Sequence, residues 1–271
     1  RLQNNSNGTS PIQYGRYFPA INAQILTFMW TIAFKEASSF FSSLAGLIIS
    51  GVFLLVMGLM LFFFPDTSIL SGNYANMDGL FYLAPTIFTF VIPAITMRFF
   101  AEELQTGTIE LLATKPISDL KIIMGKFLAG LFLIFLCLVP TLVYYYTVYQ
   151  LGSPVGNLDT GGIMGSYIGL FFLSASFLSI GIFASALTHN QVVAFVIGTF
   201  LCFICHWFFL YVSKIPAFVG NVDYILQKFG IDYHYSRMSK GVIDLKDVVF
   251  FLSVISIFLS LTHFVLQRRK W

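Results

Sequence analysis

Six apolar runs, at roughly 43–64, 80–100, 120–149, 163–187, 191–212 and 247–266, leave this chain few folds to adopt. A helix rises about 1.5 Å per residue, so about 20 apolar residues cross about 30 Å of hydrocarbon. All six runs reach that length. Composition points the same way: 57% of the 271 residues are hydrophobic and 10% are charged, against about 25% charged in an ordinary soluble domain. The 32 phenylalanines suit lipid-facing and bundle-packing surfaces. The expected fold is an all-α membrane protein with six transmembrane helices. The third run is long enough that its ends project beyond the lipid or the helix tilts.

The charges are placed as a bilayer demands. No Asp, Glu, Lys or Arg falls in the middle of a run, and Arg98 lies near a helix end. A charge at the bilayer centre costs about 2.5–3.5 kcal/mol even on insertion scales. Lys35, Arg98, Lys115, Lys121, Lys126, Arg268, Arg269 and Lys270 collect on one side of the expected topology. The short loops 65–79 and 151–162 on the other side have Asp66, Asp78 and Asp159 and no Lys or Arg. The loop 213–246 balances its basic residues with Asp223, Asp232, Asp244 and the adjoining Asp247. The positive-inside bias puts both termini and loop 102–119 in the cytoplasm, and loop 213–246 outside. The net charge of +3 includes no basic run of the kind that tracks nucleic acid.

Residues 1–28 stand apart from residues 29–271, the membrane domain. Asn4 to Ser10 is polar, without helical period or the apolar core of a signal peptide. We read 1–28 as an upstream, non-native extension, with the membrane pattern starting at Met29; an ordinary disordered tail is the other reading. Asn4-Asn5-Ser6 and Asn7-Gly8-Thr9 match glycosylation sequons that a cytoplasmic tail would not present to the machinery. Residues 30–42 mix Phe34, Phe40 and Phe41 with Lys35 and Glu36, the pattern of a short interfacial helix.

Between the second and third runs lies a polar segment with three carboxylates, Glu102, Glu103 and Glu110. Gly107 is placed to cap a helix with Glu110 at its third position, where a carboxylate favours free amides and the positive dipole end. Leu111 and Leu112 give that short cytoplasmic helix an apolar surface, Pro116 ends it, and Ser118 is placed to cap the third span. A partner could dock there by burying leucines and pairing glutamates; taken alone, the segment reads more readily as a plain connection.

The pattern Glu103, Gly107, Thr108, Glu110, Leu111, Leu112, Pro116, Ile117, Ser118, Gly125 and Lys126 resembles the segment between the second and third spans of ABC-2 type transporter permeases. Three further stretches, 150–159, 190–195 and 233–244, resemble the gliding-motility-associated (GldF-like) permease subfamily. The likeness runs in order over about residues 30–270. It implies six spans, dimers, a long outer helical segment between spans 5 and 6, and force received from an ABC-type ATPase through the segment carrying Glu102, Glu103, Gly107, Thr108, Glu110, Leu111, Leu112 and Pro116. It further implies a GldA-like ATPase, a GldG-like second membrane subunit (or a homodimer), and a bacterial inner-membrane location.

Other motifs carry less. Cys202-Phe-Ile-Cys205-His206 matches the c-type haem attachment string, but it lies within an apolar run, where two packing cysteines and a bundle histidine are the better account. His189, His206, His234 and His263 have no carboxylate at metal-ligand spacing, and no cofactor or metal is expected. Tyr233-His234-Tyr235 reads as an interfacial aromatic anchor. Gly161, Gly165 and Gly169 recur every four residues, which permits close helix packing within one subunit or at a dimer contact. Gly125-Lys126 lacks the glycine at position 120 that a phosphate loop needs, so ATP hydrolysis is assigned to another chain. The alternatives are an ABC-2 permease for a drug, polysaccharide or copper-maturation cargo, an ion-coupled secondary transporter, which would need midplane ionisable groups, and an intramembrane enzyme, for which no nucleophile–base pair is seen.

Overall fold

The computed structural model describes residues 31–268, except 32–33, 37, 39, 41–43, 65–67, 70–74, 109–117, 217–219 and 221. The described residues contain no strand. The helices are α1 (Leu44–Phe62), α2 (Asp78–Thr96), α3 (Ala101–Thr106), α4 (Asp119–Leu138), α5 (Leu142–Leu151), α6 (Thr160–Leu187), α7 (Gln191–Phe203), α8 (Phe209–Ser213), α9 (Asp223–Gln227), α10 (Ile231–Met238) and α11 (Leu245–Arg268). Five helical segments are long and apolar enough to cross a membrane: Asp78–Thr106, Asp119–Leu151, Thr160–Leu187, Gln191–Ser213 and Leu245–Arg268. The first expected span corresponds to α1, whose apolar stretch Gly46–Phe62 is shorter. The proposed extension 1–28 lies outside the described residues.

Local chemistry sets where these helices start and bend. Asp159 caps α6 by accepting from the Gly162 amide at 2.9 Å, and Asn190 caps α7 by accepting from Val192 N–H at 2.9 Å. Ser118 occupies the cap position of α4, but its side chain makes no capping bond. The long third run bends at its proline: Val139–Thr141, which contains Pro140, is a 3-10 turn between α4 and α5, because proline has no N–H for the helical ladder. The fifth segment is interrupted by a π-helical stretch, Ile204–Phe208, between α7 and α8.

α6 is the central helix, packed by α2, α4, α7, α10 and α11. Its small residues let neighbours approach closely. Gly181 lies against Thr96 of α2, and the Phe81 and Tyr167 rings meet edge-on at 5.1 Å. α2 and α6 therefore run in the same direction. The end of α2, α3 and the start of α4 lie at one end of the bundle, while α9, α10 and the starts of α2 and α6 lie at the other.

Two expectations about that second end need correction. Tyr233-His234-Tyr235 is not a surface anchor as a unit: Ile231, His234, Tyr235 and Met238 form the buried face of α10, spaced i, i+3, i+4 and i+7 as an amphipathic helix requires. Tyr235 donates to Phe81 O at 2.6 Å. The three glycines of α6 are also not equivalent. A Cβ at Gly165 would lie 2.8 Å from Gly241 Cα, and one at Gly169 would lie 2.6 Å from Met238 Cβ, whereas at Gly161 it would meet only Asp159, at 3.6 Å.

Candidate functional site

The segment that joins α2 to α4 begins with a break in the helix. Pro93 lies inside α2, and the helical ladder ends in turns at Met97–Phe100 before α3 resumes. Buried backbone groups freed by such a break need partners. Ser185, from the far end of α6, supplies them. Its hydroxyl accepts from Phe100 N–H at 2.9 Å and from Ala101 N–H at 3.0 Å, and donates to Met97 O at 3.1 Å. One fully buried side chain thus fixes the angle at which α3 leaves the bundle.

Lys126 holds the same junction from the other side. It belongs to the second turn of α4 and is 1% exposed. Its ammonium donates to Phe99 O at 2.6 Å, to Glu103 Oε1 at 2.8 Å and to Glu36 Oε1 at 3.0 Å, and it lies 5.1 Å from the centre of the Phe100 ring. All three of its protons are used. The lysine counted from sequence toward the positive-inside bias is therefore a buried tie between α4, α3 and the helical residues 34–36. Nothing in the sequence pairs Lys126 with Glu36, 90 positions away; only the fold does.

A cavity of about 510 Å³ opens beside this tie, lined by Lys35, Glu36, Arg98, Glu102, Glu103 and Lys126 among others. Glu103 faces inward to Lys126, while Glu102 on the same short helix is exposed. Gly107, expected to start a helix, also ends one: it terminates α3 at φ 72°, ψ 4°, a left-handed conformation open to glycine without steric penalty, and Thr108 after it is helical again. A glycine three residues before a glutamate reads equally as a stop and as a start. Thr108 is exposed, and its hydroxyl lies 3.0 Å from that of Thr106. Glu110, Leu111, Leu112 and Pro116 lie outside the described residues.

The other end of the bundle holds two polar groupings that were not read from the sequence. His234 Nδ1 lies 2.7 Å from Asp247 Oδ1 and its Nε2 lies 2.9 Å from Lys228 O. Arg237 reaches Asp247 at 3.4 Å and Asp244 at 3.2 Å. The hydrogen bond to Asp244 holds the Arg237 guanidinium above its ordinary range, and the Lys246 amide together with Arg237 holds the Asp244 carboxyl below its own. His206, within the π-helical stretch, has its Nε2 3.6 Å from Asp232 Oδ1. Cys202 is fully buried with its sulfur 3.9 Å from Phe177 O, and Cys205 is free. Among the described residues no group of three or more His, Cys, Asp or Glu is placed to hold a metal.

An all-helical bundle with five candidate membrane-crossing helices defines a multi-pass membrane protein. The model of the family described as ABC-2 family transporter protein matches residues 71–230. This is more than half of the chain, and the chain belongs to that family. It is a membrane permease of an ABC-2 transporter; such domains are transmembrane subunits rather than ATPases, and the family implies an ATPase partner. No curated protein matches the chain.

Proposed function

We propose that this chain is the permease subunit of a gliding-motility-associated ABC transporter, driven through residues 102–118 by a separate GldA-like ATPase and accompanied by a GldG-like membrane subunit or a second copy of itself. The observation that supports coupling is the Lys126 tie. A displacement of α3 is passed through Glu103 to α4 and to the segment carrying Glu36, and through the Ser185 bonds to α6. A segment so attached transmits force to several membrane helices at once, which a slack connection could not do.

In this reading the Glu110, Leu111 and Leu112 surface docks on the ATPase, α1 is the first of six spans, and both termini face the cytoplasm of a bacterial inner membrane. The lysines and arginines gathered at the α3 end support that orientation. The gliding role rests on the resemblance of residues 150–159, 190–195 and 233–244. Glu110→Lys puts a positive charge at a helix start, unfavourable by about 0.3–1 kcal/mol, and reverses any ion pair with the partner. Leu112→Asp removes apolar contact. Both variants are expected to insert normally and to lose co-purification of the ATPase. Retention of the ATPase by both would withdraw the coupling role of this segment.

A further inference from the structure

A second cavity, of about 400 Å³, lies between the start of α2, the π-helical stretch and α10, at the end of the bundle remote from Lys126. Its volume falls within the range of small-molecule sites. Phe81, Tyr82, Trp207 and Tyr235 give it aromatic walls. Asp78 and Asp232 face Lys240 alone among the lining lysines and arginines, so the lining carries an excess of negative charge. Asp78 and Lys240 are exposed, while Asp232 is half-buried.

His206 gives this cavity a specific polar demand. It is 2% exposed, and its Nδ1 has no hydrogen-bond partner among the described residues. Its Nε2 faces Asp232 Oδ1 at 3.6 Å, too long for a direct hydrogen bond. π-Helical turns inside α-helices recur at functional sites, and this one carries His206 and Trp207 to the cavity wall. The Asp232 carboxylate at this wall is an acceptor that an ammonium can reach. Aromatic faces attract the same charge.

We infer that this cavity binds a primary ammonium group carried on an apolar body, with Asp232 as its carboxylate partner and the aromatic residues enclosing the apolar part. Burial pushes the Asp232 carboxyl above its ordinary range, against the opposing pull of Lys214, and a bound cation would relieve that desolvation. The inference does not depend on the coupling proposal, because binding is measured on the full chain without an ATPase.

The probe is dansylcadaverine, added to the purified chain in phosphatidylcholine nanodiscs and followed by dansyl emission. Saturable binding with a blue shift is expected. Its N-acetylated, uncharged analogue should bind about tenfold more weakly or worse, as should the amine to Asp232→Asn, since hydrogen bonds to a charged group are of that size. Asp78→Asn, at an exposed position, should weaken binding severalfold by the lost Coulomb attraction. Asp244→Asn, outside the cavity, should not change it. Equal affinity for the amine and its acetylated analogue, or unchanged affinity in both Asp232→Asn and Asp78→Asn, would overturn the proposal. A phosphatidylethanolamine headgroup carries the same ammonium chemistry as a soluble amine. Exchanging the nanodisc lipid for it assigns the source: competition with the dye identifies the headgroup, and an unchanged dye affinity identifies a soluble amine.

Discussion

Replacing Lys126 by methionine removes a cation but keeps most of the side-chain volume. The ammonium lies 2.8 Å and 3.0 Å from two carboxylates. At an effective dielectric constant of about 20, each pair is worth about 5–6 kcal/mol of gross Coulomb energy. The cost of burying the ammonium offsets several kcal/mol of that. Phe99 O would also lose its donor, and Glu103, whose Oε2 already has no partner among the described residues, would face Glu36 with no intervening cation. Breaking a buried pair by removing one partner costs about 3–5 kcal/mol, and a loss of that size is expected for Lys126→Met. Glu103→Gln keeps an acceptor and should cost about 1–2 kcal/mol. In the combination Lys126→Met with Glu103→Gln and Glu36→Gln, no carboxylate is stranded, so much of the loss should return. The assay is equilibrium unfolding of the purified chain in mixed micelles, arranged as a double-mutant cycle between positions 126 and 103. A Lys126→Met loss below about 1 kcal/mol, with no coupling to Glu103→Gln, lies within the range of exposed ion pairs and would refute the buried tie.

Two further outcomes follow from the geometry. Ser185→Ala leaves the Phe100 and Ala101 amides without their acceptor; unmet buried donors cost about 1–3 kcal/mol each, and faster amide exchange at residues 100 and 101 should accompany the loss, so unchanged exchange would contradict the role of the hydroxyl. For Asp232, burial raises the folded value above the ordinary 3.8, so folding takes up a proton. Its contribution to stability is fully present below the unfolded value and fades as pH rises through the folded one. Thermal unfolding followed upward from about pH 4 should lose part of its slope in Asp232→Asn; an identical slope would contradict this assignment.

What the sequence made legible was what depends on neighbours along the chain. The apolar runs announced the long helices. The buried face of α10 was legible as well, since Ile231, His234, Tyr235 and Met238 keep helical spacing, but the aromatic triplet drew the eye to a surface reading. What stayed hidden were meetings of residues far apart in sequence. Lys126 with Glu36, Ser185 with the Phe100 and Ala101 amides, and His206 with Asp232 each depend on which helices pack together, and no local pattern encodes that. Gly107 was half legible for a different reason: it was read as a helix start, but the end of α3 at the same residue depends on a backbone angle that spacing does not show.

The fully buried Asp247 also bears on how the chain is made. This carboxylate stands in the first turn of α11 and meets His234 and Arg237 of α10. An uncompensated charge resists entry into an apolar setting. Synthesis runs from the amino terminus, so both partners of Asp247 leave the ribosome before it does. The last helix can therefore be threaded into place with its acidic residue neutralised on arrival.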